Sequence, residues 1–229
     1  LLLIAVRTSL AALAILPIWL ARDERKPIPG REWPRLLFLT VGLLLGNQVL
    51  FVVALSRTSV AHSAFLYSLV PAVVLLMAAA AGQERLTPGK LGGMALATAG
   101  VVLLANERGA GAAAPTLLGD ALTLVAVVVF AAFSVLGKHE RARHGPLTLT
   151  AIAYVGGGLL FLPVVWLVYL GFDWGGVPAA GWWALLYMAL LPAVVGYLIY
   201  FWALGHAPAS KIASVQYLQP PLAAGLSAV

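Results

Sequence analysis

The sequence predicts an all-α fold, a polytopic membrane helix bundle built from two inverted five-helix repeats. Three observations predict it. Apolar stretches of about 20 residues, the length one helical crossing of a hydrocarbon core requires, follow one another along nearly the whole chain. Lys and Arg collect in alternate gaps between those stretches. A displacement of 149 residues lays part of the middle of the chain over its end without a gap.

Backbone polar groups in lipid must be satisfied within their own segment, so each stretch reads as an α-helix. The first span is Leu1–Leu20. Arg7 inside it has two readings, contact with an anionic group or snorkelling to the outer interface. The second span, Leu36–Leu55, holds Asn47, Gln48 and Phe51. Its Gly42 and Gly46, four residues apart, suit close helix packing. Arg57 and His62 flank the turn into the third span, Val60–Ala81, as gate or anion-attracting residues or as solvated turn residues. The fourth span is Pro88–Ala105. Thr87 can cap it and Pro88 suits its first turn. Gly89 and Gly93 repeat the small-residue spacing, and Glu84 and Arg85 fall at headgroup level.

Asn106–Thr116, rich in Gly, Ala and Pro without periodicity, reads as a linker. The fifth span, Leu117–Gly137, carries Asp120 near its outer end. That acid could take protons or a cationic substrate, or could simply favour a helix N-terminus. A loop follows with Lys138, Arg141 and Arg143 around His139, Glu140 and His144, and the positive charge there disfavours a metal cation. Leu147–Leu170 is the sixth span, with Gly156–Gly158 as a packing site, and Gly181–Leu204 the seventh. Trp33, Trp174, Trp182 and Trp183 stand at span ends, where amphipathic rings anchor at the headgroups. The eighth span is Ile212–Val229.

Composition agrees with a membrane protein: 62% of residues are hydrophobic, 10% are charged, and the mean hydropathy is +0.98. The net charge of +6 is a matter of placement. Eleven of the fourteen Lys and Arg residues occupy one set of gaps, and only Arg7, Arg57 and Arg108 lie in the other set. The rich side is therefore expected in the cytoplasm, in a bacterial cytoplasmic membrane. Nucleic-acid binding needs a continuous basic face, and none is available. Cysteine is absent, which removes thiolate metal sites and Cys nucleophiles. H-E-x-x-H, G-x-S-x-G and paired intramembrane Asp are lacking, so no enzyme, metal or cofactor is expected. No Walker-type loop encodes a motor. The expected partners are the lipid bilayer and a small-molecule substrate, and oligomeric state is not legible.

The displacement of 149 residues superposes Ala54, Leu55, Ala64, Leu69, Pro71 and Ala79 on Ala203, Leu204, Ala213, Leu218, Pro220 and Ala228. The first repeat is read at 1–105 and the second at 117–229, joined by the linker at 106–116. On this reading the first copy lacks its opening helix and the second its last. Five helices per copy is odd, so the copies insert in opposite orientations. Inverted repeats are a recurrent transporter architecture, with the substrate site near the bilayer midplane.

Polar groups inside spans point to that site, because hydrocarbon penalises them unless they face protein or water. Ser63, Tyr67, Val70 and Pro71 share one helical face. Their counterparts under the displacement are Ile212, Gln216, Gln219 and Pro220, and Asn47, Gln48 and Phe51 match Gly196, Tyr197 and Tyr200. Together with Trp202 these residues are expected to line a central cavity, and Pro71 and Pro220 to act as hinges. The competing reading is that each Tyr or Gln makes an ordinary interhelical hydrogen bond.

The segment "YSLVPAVVLLMAAAAGQERLTPGKLGGMALATAGVVLLA" resembles the EamA family of the drug/metabolite transporter superfamily. The likeness lies in an apolar helix with Pro, a Gly-Glu-x-x-Thr/Ser turn and a Gly-rich helix. "LGDALTLVAVVVFAAFSVLGKH" is similar to the opening helix of the family's second copy, with Phe130 where Trp is common. Gln83 departs from the pattern by separating Gly82 from Glu84. The resemblance implies ten transmembrane helices in two inverted repeats and export or exchange of small metabolites. Amino acids, amines and drug-like compounds fit the neutral, aromatic candidates equally. A channel or scaffold without carrier activity is the alternative.

Overall fold

A computed structural model describes residues 2–21, 27–58, 60–107 and 116–218, with side chains at all of these except 60–62, 64, 104–107 and 169. The chain runs through α1 (Leu2–Leu20), α2 (Gly30–Leu55), α3 (Val60–Tyr67), α4 (Val70–Ala80) and α5 (Pro88–Glu107). It continues through α6 (117–144), α7 (146–169), α8 (Ala179–Leu204) and α9 (Ala209–Ala213), which passes into a 3-10 turn at Ser214–Leu218. No strand occurs among the described residues. The fold is the expected polytopic helical bundle. By length and apolar composition α1, α2, the α6–α7 run and α8 are each sufficient to cross a membrane.

Three local features depart from the simple span reading. The third span is two helices, interrupted at Ser68 and Leu69. Pro71 offers no N–H to the carbonyl of Tyr67 and its ring crowds that turn. The chain tightens there to i→i−3 bonds, Ser68 N to Phe65 O at 3.1 Å and Leu69 N to Leu66 O at 3.2 Å. The second departure corrects the loop expected around Lys138–Arg143, which is helix. Its Lys, Arg and Glu residues favour helix as well as they favour water, so α6 continues past the apolar stretch. It stops only at Gly145, whose φ of 77° suits a residue without Cβ. Third, α2 and α8 widen into π-helical turns at Phe38–Leu45 and Ala189–Val195.

The contacts gather into two compact units, one comprising 1–46 and 137–205 and the other 47–136 and 206–229. In the first unit α1 buries Ile4, Ala5, Thr8, Ala11 and Ile15, a stripe at helical spacing, and packs against α8. Gly156–Gly158 is the close-packing site the sequence suggests. A Cβ at Gly157 would collide with Leu45 and sit 3.1 Å from Thr8, and one at Gly156 would lie 2.8 Å from Val41. Gly46, Gly89 and Gly93 differ from that expectation: a Cβ at any of them would meet nothing within 4 Å. Small residues leave room for close approach, but among the described residues no helix fills it there.

The second unit packs α4 against α9 and α3 against α5. Both units bury apolar residues but also expose many of them, and bury several hydroxyls and an amide. Leu13, Leu96, Leu103, Trp166, Leu167 and Trp183 are about two-thirds exposed or more, while Thr8, Thr40, Asn47, Ser63, Thr123, Ser134 and Thr150 are buried. Lipid accounts for the exposed apolar residues. Several buried hydroxyls donate to the carbonyl four residues back, as Thr40 does to Leu36, Thr123 to Gly119, Ser134 to Phe130 and Thr150 to Pro146. Such back-bonding satisfies a hydroxyl without a second helix.

Candidate functional site

The second unit brings three of the expected residues together. Asn47 is 4% exposed. Its amide nitrogen donates to the carbonyl of Ala126 on α6 at 2.6 Å, and its amide oxygen accepts from the Tyr67 hydroxyl at 3.2 Å. The ring of Phe51, one turn along α2, meets Tyr67 edge-on with centroids 4.9 Å apart. The ring of Phe130 on α6 is tilted against Tyr67 with centroids 6.3 Å apart. Position explains the convergence: Asn47 and Phe51 are four residues apart on α2, and Tyr67 ends α3 at the Pro71 break. Tyr67 stays half-buried and its own carbonyl is the one that Pro71 leaves without the usual helical donor.

Ser63 and Gln216 belong to the same unit. Ser63 is 1% exposed, and the Ser63 hydroxyl and Gln216 amide oxygen are both buried without a hydrogen-bond partner among the described residues. An unpaired polar atom in such a place costs about 1–3 kcal/mol unless water or a solute meets it. Gln48 is half-buried on α2. Gln219 and Pro220 lie outside the described residues, while Pro71 is buried at the start of α4.

The first unit holds the other aromatic candidates. Tyr197 stacks edge-on between fully buried Tyr154 and half-buried Tyr200, with centroid distances of 6.1 Å on each side. Trp202 is 55% exposed. Sequence reasoning passed over Tyr154, which sits within an apolar stretch, and treated Phe130 only as a variant of a family position. A polar-in-membrane rule applied to Tyr154 would have found it.

The charged candidates are dispersed. Arg7 is half-buried on α1, and the His62 side chain lies outside the described residues. Arg57 is exposed, and its carbonyl accepts from the Thr116 hydroxyl at 2.6 Å. Thr116 in turn caps α6 by accepting from Gly119 N at 3.1 Å. Asp120 stands in the first turn of that helix and accepts from the Thr58 hydroxyl at 3.1 Å, where a carboxylate also offsets the helix dipole.

Two ionic nodes lie at helix ends. Glu140 is 2% exposed and pairs with Arg35 at 2.8 Å, and His144 Nε2 stands 3.1 Å from Glu32 and 3.5 Å from Glu140. The other node centres on Glu84, whose side chain is 3% exposed. Lys90 Nζ donates to it at 2.7 Å, Ser210 N at 3.0 Å and Ser210 Oγ at 2.5 Å. Burial by itself would raise the Glu84 carboxyl, but the hydrogen bonds from Lys90 and Ser210 and the Lys90 charge outweigh it and hold the group below its ordinary range. The carboxylate thus ties the α4–α5 turn to the start of α9.

Residues 1–106 and 117–229 match the EamA-like transporter family. The chain belongs to that family. It is 30% identical over 221 residues to an uncharacterized transporter of Archaeoglobus fulgidus, covering 92% of this chain and 73% of that protein. It is 27% identical over 161 residues to a probable terminal-alkyne amino-acid exporter of Streptantibioticus cattleyicolor, covering 70% of this chain and 52% of the exporter. A crystal structure 22% identical in sequence superposes with a TM-score of 0.75, over 96% of this chain and 74% of its own, a likeness of fold. Family and relatives place this integral membrane protein among transporters and not among enzymes.

Proposed function

We propose that the protein is a secondary transporter that exports or exchanges small metabolites, namely amino acids, amines or drug-like compounds, by alternating access in the bacterial cytoplasmic membrane. One observation carries the proposal. Asn47, Tyr67, Phe51 and Phe130 converge inside an apolar unit that also buries the unpaired oxygens of Ser63 and Gln216. Aromatic faces with a few neutral hydrogen-bonding groups suit a small solute with an apolar body and a polar end. The exporter of an amino acid among its relatives supports that solute class and an outward direction.

Helix boundaries support the reading of two repeats at 1–105 and 117–229, although α5 runs to Glu107 and takes in the first two residues of the linker read at 106–116. Displaced by 149 residues, 33–55 falls on 182–204, inside α8 and ending with it at Leu204. The same displacement carries the start of α3 at Val60 to Ala209, the start of α9. The π-helical turn at 38–45 falls on 187–194, over the turn at 189–195. Pro71 and Pro220 then stand at equivalent sequence positions, and a change of tilt of the third and eighth spans is the proposed motion.

The test is flux in proteoliposomes and efflux from a sensitive bacterial host, using the complete protein with Tyr67→Ala and Gln216→Ala made separately. Lost transport at unchanged expression and melting temperature supports the site. Unchanged affinity and flux in both variants removes these residues from it. Flux that neither saturates nor counter-transports would replace the carrier by a channel or scaffold.

A further inference from the structure

The end of the second unit that carries the Glu84 node has a feature outside the Asn47–Tyr67 cluster. A cavity of about 440 Å³ lies between α5 and α9, with Gly89, Lys90, Gly93, Ser210, Lys211 and Tyr217 in its wall. It exists because the glycines project nothing into it. Lys211 is exposed and has no ion pair among the described residues. Lys90 gives Glu84 one of its three ammonium protons and keeps the others for a further acceptor. The adjacent face of α5 forms a second trough with α4, about 300 Å³ and lined by Leu75, Leu76, Leu91 and Met94 with almost no polar surface. Met94 borders both spaces. Along α5 the pocket is lined from Gly89 to Ala97 and the trough from Leu91 to Thr98, so the two run side by side for about 10–12 Å, with Lys90 at the end nearer the helix start.

We propose that the two spaces bind one molecule of anionic phospholipid, its phosphate between Lys90 and Lys211 and an acyl chain laid over Met94 into the trough. Basic pockets between helices at headgroup depth are suited to acidic lipid headgroups. A soluble anion would use the lysines but leave the trough without an occupant. A zwitterionic lipid would fill the trough but bring its own ammonium to two cations. An acidic lipid answers both halves of the site.

The experiment is native mass spectrometry and thermal unfolding of the complete, delipidated protein, titrated separately with phosphatidylglycerol, phosphatidylcholine and glycerol 3-phosphate. Phosphatidylglycerol is expected to bind saturably and raise the melting temperature, and the other two are not. Lys211→Gln should weaken that binding roughly five-fold, the factor one lysine near an anionic surface commands. Melting in neutral detergent should not change, because Lys211 bonds no acid among the described residues. Lys211→Arg should restore binding. Ala95→Trp, which fills the trough, should weaken phosphatidylglycerol without creating a response to glycerol 3-phosphate. Equal binding of phosphatidylcholine would overturn the proposal, as would an equal response to glycerol 3-phosphate or unaltered binding by Lys211→Gln.

Discussion

Replacing Glu84 by Ala removes the acceptor for three donors at once: Lys90 Nζ, Ser210 N and Ser210 Oγ. Hydrogen bonds to a charged group contribute about 1.5–3 kcal/mol each, so the gross loss from Ser210 alone is about 3–6 kcal/mol. Two effects reduce it. Removing the carboxylate also removes its own burial cost. The Lys90 side chain is 35% exposed, so its ion pair is screened and contributes only about 0–1 kcal/mol. A net loss of about 2–3 kcal/mol follows. At about 2–4 °C per kcal/mol for a chain of this size, the melting temperature falls by about 4–12 °C. Glu84→Gln keeps an oxygen for Ser210 and should cost about half as much. Because the folded group titrates lower than an unconstrained carboxyl, its contribution is complete above the ordinary carboxylate range. It is lost as pH falls through the lowered folded value. The gap between wild type and Glu84→Gln should therefore hold constant from neutral to mildly acidic pH and close only below that. Thermal unfolding across pH in one detergent measures both quantities. A Glu84→Ala protein melting within about 1 °C of wild type, or a gap that widens on acidification, would refute the reasoning.

Gly157→Val should destabilise the first unit by about 1–3 kcal/mol, because its side chain must displace Leu45 and Thr8, whereas Gly46→Ala in the same detergent melt should be near neutral. Single cysteines at Arg31 and Lys138 should resist an impermeant thiol reagent in intact cells and react after lysis. Labelling of either in intact cells would reverse the expected orientation.

The helices were legible because about 20 apolar residues per crossing is a requirement of the solvent, independent of tertiary packing. Interruptions were less legible. Pro71 signals a break, but the tightening at Ser68 and Leu69 depends on where the strain is relieved. The extension of α6 to residue 144 was hidden because charged residues read as loop in a membrane protein although they are good helix formers. Asn47, Phe51 and Tyr67 were each conspicuous as polar or aromatic groups inside spans. Their meeting, across 20 residues of sequence, follows from how α2 and α3 pack. The link from Glu84 to Ser210 spans 126 residues and has no local signature at all. Nor does spacing reveal whether small residues meet a neighbour, as Gly157 does, or meet nothing among the described residues, as with Gly89 and Gly93.

On the proposed repeat, equivalence of backbone and inequality of side chains have different consequences. The displacement carries helix ends and π-helical turns onto one another. It carries Asn47 to Gly196 and Tyr67 to Gln216, so the Asn47–Tyr67 hydrogen bond has no copy in the other half. The first half then contributes a paired amide and phenol and the Phe51 ring, and Phe130 of the second half meets them within one unit. A solute with chemically distinct ends, such as an amine or an amino acid, uses such a lining better than a symmetric one does. A pore for a simple ion would have no use for the difference. The asymmetry therefore favours a carrier of organic solutes over a channel built on the same duplicated frame.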